Sequence, residues 1–172
     1  MFAGKQARCY TERRKTMIGA IGDVISIVDV TAEYFKFAKP DAGQILYESG
    51  YDKTLHQEEI QIAVWLHELF GGNIKMLHED NIGLTPDYEW RGKFWELKTT
   101  TMSSTDVRVR KGLKQIANNP GGLIIDYKNR KIDVETVEDT VGKRFSRIKV
   151  IRTLDIIVRA HGNAIKVIRY KK

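Results

Sequence analysis

Cysteine is all but absent: Cys9 is the only one in 172 residues. That excludes an internal disulfide and a cysteine-rich zinc site, and a reducing cytoplasm is the simplest compartment for such a chain. Long apolar runs are missing as well. None approaches the roughly 20 residues that a membrane-spanning helix requires, and the N-terminus carries no apolar segment followed by a small-residue cleavage site. His56, His67, His78 and His161 show no paired metal-ligand spacing, and His67-Glu68 lacks the second histidine of a zinc-binding H-E-x-x-H helix. No serine stands in a nucleophile elbow. His56 and His78 stay open as an acid or base beside a site built from other residues. Acids are in short supply, 22 against 29 Lys and Arg, which leaves a net charge of +7. That excess favours a polyanionic partner such as nucleic acid.

What is present suits one soluble domain with a substantial core, at 42% hydrophobic and 30% charged residues. Residues 1–50 read as an N-terminal extension packed on a domain spanning 51–172. The extension opens with a basic arm over residues 1–16 that carries Lys5, Arg8, Arg13, Arg14 and Lys15. Its run Asp23–Val30 is rich in β-branched residues and predicts a strand. Tyr34, Phe35 and Phe37 then supply an aromatic cluster to pack on the body.

A helix is predicted from Thr54, as its cap, to Phe70, with Gly71-Gly72 ending it. Ile62, Ala63, Leu66 and Phe70 recur at helical spacing as a buried stripe. Glu59 falls on the same stripe, where a carboxylate is costly unless it is paired or binds a cation. Residues 73–79 alternate as a strand. Ser103 or Ser104 caps a second helix reaching Asn118, with Val109, Leu113, Ile116 and Ala117 on its inner face. Arg108, Arg110, Lys111 and Lys114 make that helix strongly basic, and Gln115 lies two turns after Arg108. A buried strand over 123–127, a helix over 133–147 and a hairpin of 153–160 with 164–170 complete the chain.

The stretch Thr85–Thr100 carries the chemistry. Folded at Arg91-Gly92, it becomes a two-residue hairpin in which Asp87 faces Glu96, Glu89 faces Phe94 and Thr85 faces Lys98. Strand alternation sends Asp87, Glu96 and Lys98 to one side and Tyr88, Trp95 and Leu97 to the other. Two carboxylates directly opposed across a ladder repel. A divalent cation between them turns that repulsion into attraction. A hard ion held by carboxylates with waters retained suits Mg2+ or Mn2+ better than zinc.

The residues Pro86-Asp87 followed by Glu96-Leu97-Lys98 resemble the signature of the PD-(D/E)xK nuclease superfamily. The predicted order of helix, three strands, helix and strand matches its restriction-endonuclease-like αβββαβ core, an α/β (α+β) fold with a central mixed sheet flanked by helices. Residues 55–126 are similar to one branch in particular, the C-terminal nuclease domains of contact-dependent growth-inhibition toxins. Similar segments occur in some phage head-morphogenesis proteins. The likeness is carried by Glu59, Ala63 and Leu66, by 69–74 (LFGGNI), by Thr85-Pro86-Asp87-Tyr88 and Trp95-Glu96-Leu97-Lys98, and by Gln115-Ile116-Ala117 and Gly121-Gly122.

The resemblance implies that Asp87 and Glu96 are metal ligands for Mg2+ or Mn2+, with Glu59 a third acid acting directly or through a water. It makes Lys98 the residue that positions the attacking water, and it places Gln115 against the site. Arg108, Arg110, Lys111 and Lys114 would then hold flanking phosphates. The activity implied is metal-dependent phosphodiester hydrolysis, with RNA, tRNA included, favoured over DNA, and with a cognate immunity or inhibitor protein as a partner. Two other readings stay open: a phage or mobile-element protein whose nuclease-like domain only binds nucleic acid, and a DNA repair or recombination endonuclease.

Overall fold

The tight turn forms at Arg91-Gly92, both residues adopting the positive φ (56° and 70°) of a primed two-residue hairpin turn. A side chain is costly in that region. Arg91 offsets the cost by laying its guanidinium over the Trp90 and Tyr34 rings, 4.4 and 4.6 Å from their centroids. The computed structural model describes residues 13–80 and 82–172; Lys5, Arg8 and Cys9 lie outside them.

In chain order the elements are β1 (Arg14–Ile18), β2 (Val24–Asp29), α1 (Thr31–Lys36), β3 (Ile45–Tyr47) and α2 (Gln57–Phe70). Then come β4 (Ile74–Met76), β5 (Tyr88–Trp90), β6 (Lys93–Thr99), α3 (Thr105–Gln115) and β7 (Pro120–Asp126), followed by α4 (Val134–Ser146), β8 (Thr153–Ala160) and β9 (Ala164–Lys171). Among the described residues all nine strands join one sheet in the order β1-β2-β9-β8-β7-β6-β5-β4-β3. It is mixed: β6, β7 and β8 run parallel, as do β3 and β4, and the other pairs are antiparallel. The predicted order of helix, three strands, helix and strand is present as α2-β4-β5-β6-α3-β7.

Strand alternation divides the core between two faces. Leu123, Ile125, Leu154, Ile156 and Ile168 pack one face against α3 and α4, through Val109, Leu113, Val141 and Phe145. Trp95, Leu97, Ile124, Ile157 and Val167 pack the other against the stripe Ile62, Ala63, Leu66 and Phe70 of α2 and against Tyr34 of α1. A Trp–Trp–Phe–Tyr group sits beneath the hairpin, with Trp90 5.1 Å from Trp95 and Phe70 5.5 Å from Tyr34. The Trp90 indole N–H donates to the Gly71 carbonyl and that of Trp95 to the Trp90 carbonyl, both at 3.0 Å, so both buried donors are satisfied.

Several expectations move. The helix predicted from Thr54 starts at Gln57, with His56 at its cap. Thr54 instead belongs to a turn in which Asp52 Oδ1 accepts from its amide and hydroxyl and from the Leu55 amide. Short polar side chains compete with the helix in this way. The end of the expected arm, residues 14–16, belongs to edge strand β1 on β2, and Lys15 is ion-paired with Asp139 of α4. Of the aromatic cluster, only Tyr34 is buried; Phe35 and Phe37 are exposed on and just after α1. β3 was not foreseen. It carries part of the extension to the far edge of the sheet, parallel to β4.

Candidate active site

The hairpin register is the one the sequence predicts: Tyr88 faces Trp95, Glu89 faces Phe94 and Trp90 faces Lys93. One step beyond Tyr88 the backbone ladder ends and side chains replace it. The Leu97 amide donates to Asp87 Oδ2 at 2.7 Å, and the Asp87 amide donates to Glu96 Oε2 at 3.2 Å. The two carboxylates therefore hold the strand ends together and are fixed by the backbone they bridge. Lys98 lies on the same face as Glu96, with its ammonium 2.5 Å from Glu96 Oε1. Gly112 of α3 packs against Leu123, where a Cβ would stand 2.9 Å from Cδ2, and the same Cβ would only touch Lys98 Cε, at 3.5 Å.

Glu59 reaches the same place from the first turn of α2. The Tyr88 hydroxyl donates to its backbone carbonyl at 2.8 Å, which ties that turn to β5. Its carboxylate accepts from the Tyr51 hydroxyl at 3.0 Å and lies 3.1 Å from His56 Nδ1. Asp87, Glu96, Lys98, Glu59, Gln115 and Arg108 all line one cleft of about 580 Å3. Arg110, Lys111 and Lys114 are exposed on α3 but do not line it. At about 100° per residue, Lys111 lies some 60° around the helix from Arg108, whereas Arg110 and Lys114 turn away. His56 and Tyr51 are the site-associated residues that the sequence reading missed or left secondary. His56 stands three residues before Glu59, a spacing that does bring side chains together on a helix. No sequence signal joins Tyr51 to Glu59. His78 stands apart, its backbone amide held by Glu48 at 2.8 Å.

The electrostatics are those of an acid-rich pocket with too little positive charge. Burial pushes the Asp87 carboxyl well above the ordinary range, and the charges of Glu96 and Glu59 push it the same way. Burial also raises Glu96, against the opposing pull of Lys98. Gln115 Oε1 is buried at the cleft and has no hydrogen-bond partner. An orphaned acceptor and crowded carboxylates are the donor set a hard dication takes. Among the described residues no three His, Cys, Asp or Glu side chains are gathered into a ready cage. The fit is therefore to an ion held by Asp87 and Glu96 with its other positions open to water.

No protein-family model and no curated protein matches the chain. Among solved structures it is similar to the CdiA-CT/CdiI toxin and immunity complex from Burkholderia pseudomallei, at 16% identity and a TM-score of 0.46. The match covers 76% of this chain and 95% of that one, and at that identity and score it carries no residue role across.

Proposed function

We propose that the chain is a metal-dependent phosphodiesterase of the PD-(D/E)xK type acting on nucleic acid. One observation carries the reading: Asp87 and Glu96 meet at a single register step of a hairpin, beside Lys98, at the floor of a cleft rimmed by Arg108. Nothing in core packing calls for two mutually repelling carboxylates there. Asp87 and Glu96 would hold Mg2+ or Mn2+, and Glu59 and the Gln115 oxygen would orient waters around it. The ion, when bound, would polarise a phosphoryl oxygen and acidify a coordinated water. Lys98 orients the attacking water through its ammonium and stabilises negative charge gathering on the phosphate oxygens. Glu59, its carboxylate held by Tyr51 and His56, would accept the water's proton through an intervening water. The P–O bond opposite the attack breaks, and the leaving oxygen takes a proton from solvent. Arg108 holds a neighbouring backbone phosphate.

The sequence resemblance to growth-inhibition toxin nucleases favours RNA, tRNA included, and extends the proposal to a cognate immunity protein as partner. The test is incubation with total tRNA and with plasmid DNA, each with Mg2+, Mn2+ or EDTA, for the wild type and Glu96→Gln. Cleavage of RNA that needs the metal and is lost in Glu96→Gln supports the reading. Cleavage in EDTA, or none of either substrate, overturns it.

A further inference from the structure

A second depression, of about 410 Å3, lies beside the cleft and shares Glu58 with it. Trp65 of α2, half-buried, forms one wall, and the Arg159 guanidinium lies 5.4 Å from its ring centroid. The charges cancel in pairs: Lys128 stands 3.1 Å from Glu58, and Arg159 stands 3.3 Å from Asp126. A phosphate gains no net attraction here. What the depression offers is an aromatic face and the side-chain NH2 groups of Asn129 and Asn163, whose oxygens already accept from the Gly162 amide and from Arg159. An uncharged, flat, hydrogen-bonding ring fits that combination. Between the two hollows runs a third surface lined by Thr99, Thr100, Arg108, Lys128 and Arg130. Arg108 and Arg130 have no carboxylate partner among the described residues.

From this arrangement we infer that the depression at Trp65 is a nucleobase subsite. It takes an unstacked base one or more nucleotides from the scissile phosphate, with the intervening phosphates held by Arg108 and Arg130. A base inside a duplex cannot reach Trp65 without leaving its stack, so the substrate class is single-stranded or looped nucleic acid. This rests on the phosphodiesterase reading for its biological meaning, and binding tests it separately. Trp90 and Trp95 are 1% and 3% exposed, so among the three tryptophans only Trp65 can report a stacked base by fluorescence.

The experiment titrates a 12-nucleotide single-stranded RNA, and a 12-base-pair duplex of the same sequence, into the full chain in EDTA. The single strand should quench tryptophan fluorescence and the duplex should not. Trp65→Ala should weaken single-strand binding on the order of 5- to 150-fold, the equivalent of about 1–3 kcal/mol for one stacked base, and leave duplex binding unchanged. Trp65→Tyr, which keeps a stacking face and guards against a folding defect, should retain most affinity while losing the quench. An unmoved wild-type signal at saturating single strand overturns the subsite. So does wild-type affinity in Trp65→Ala, or a full quench in Trp65→Tyr. Metal-dependent cleavage that survives any of these results leaves the phosphodiesterase reading standing. Quenching that follows the predicted pattern, in a protein that cleaves nothing, keeps the subsite and removes that reading.

Discussion

Replacing Lys98 with Ala separates catalysis from metal binding, and the geometry sets the size of each effect. The Lys98 ammonium is 2.5 Å from Glu96 Oε1, and its side chain is 16% exposed. A unit charge about 4 Å from the charge gathering on a phosphate is worth roughly 4 kcal/mol at an effective dielectric of about 20. That is an upper figure, and losing one well-placed electrostatic group usually lowers the rate on the order of 10²–10³. Without metal, the substitution also strands Glu96, a buried carboxylate, beside Asp87. Breaking a buried pair from one side typically costs about 3–5 kcal/mol, reduced here by Glu96 taking up a proton. Lys98→Ala should therefore melt below the wild type in EDTA. It should gain more than the wild type when Mn2+ is added, because the ion no longer competes with the ammonium for Glu96. Cleavage should stay depressed at every Mn2+ concentration. Single-turnover cleavage alongside melts with and without Mn2+ measures both effects. Near-wild-type cleavage by Lys98→Ala refutes the role given to Lys98, and an unchanged melt on adding Mn2+ to wild type refutes the metal site itself.

Glu96→Gln keeps the side chain's shape and removes one of the two charges, so the Mn2+-induced rise in melting temperature should shrink sharply and cleavage should fall with it. Asp87 and Glu96 are both held above the ordinary carboxylate range, so the metal-free folded protein binds more protons than the unfolded chain between the ordinary and raised values. Their contribution to stability should then be fully present below the ordinary carboxylate range and be lost as pH rises from there through the raised values; melts in EDTA should show this slope in wild type and less of it in Glu96→Gln. Arg108→Ala should lower the slope of log affinity against log salt by about 0.7–0.9, the effect of one phosphate contact, and Arg110→Ala by clearly less, since Arg110 turns away from the cleft. Gly122→Ala would place a Cβ 1.9 Å from the Asp155 carbonyl oxygen and 2.7 Å from the Trp95 ring. It should cost about 3 kcal/mol or more, a melting drop on the order of 6–12 °C for a chain of this size.

Where pattern and packing agree, the sequence was enough. The period-two alternation through Trp95, Glu96, Leu97 and Lys98, with a glycine able to turn after Arg91, determined which side chains share a face, because a one-residue slip would have exposed Trp95 and Leu97. The α2 stripe was legible for the same reason at period 3.6. Element ends were less so: Asp52 captures the Thr54 and Leu55 amides and moves the helix cap two residues on, to His56, a local competition that hydrophobic periodicity does not register. β3 is three residues long, with only Ile45 partly buried, and its pairing with β4 is a long-range choice that leaves almost no pattern behind.

The composition of α3 is the case where sequence reading groups what the fold divides. Four cations within seven residues look like one phosphate-binding face, yet a helix distributes neighbouring positions around its axis. Once Val109 and Leu113 are committed to the core, the directions left to the cations are fixed. Arg108 meets the cleft and the path toward Trp65, while Arg110 and Lys114 face away from it. Glu59 shows the converse. Its place on an apolar stripe marked it as costly, but the contacts that meet the cost come from His56 and Tyr51, three and eight residues upstream, and only the folded path of residues 48–57 brings Tyr51 there. The residues at the acid-rich centre could be read from spacing because a strand ladder ties position to direction. Tyr51, which holds Glu59, could not, because an irregular loop supplies no such rule.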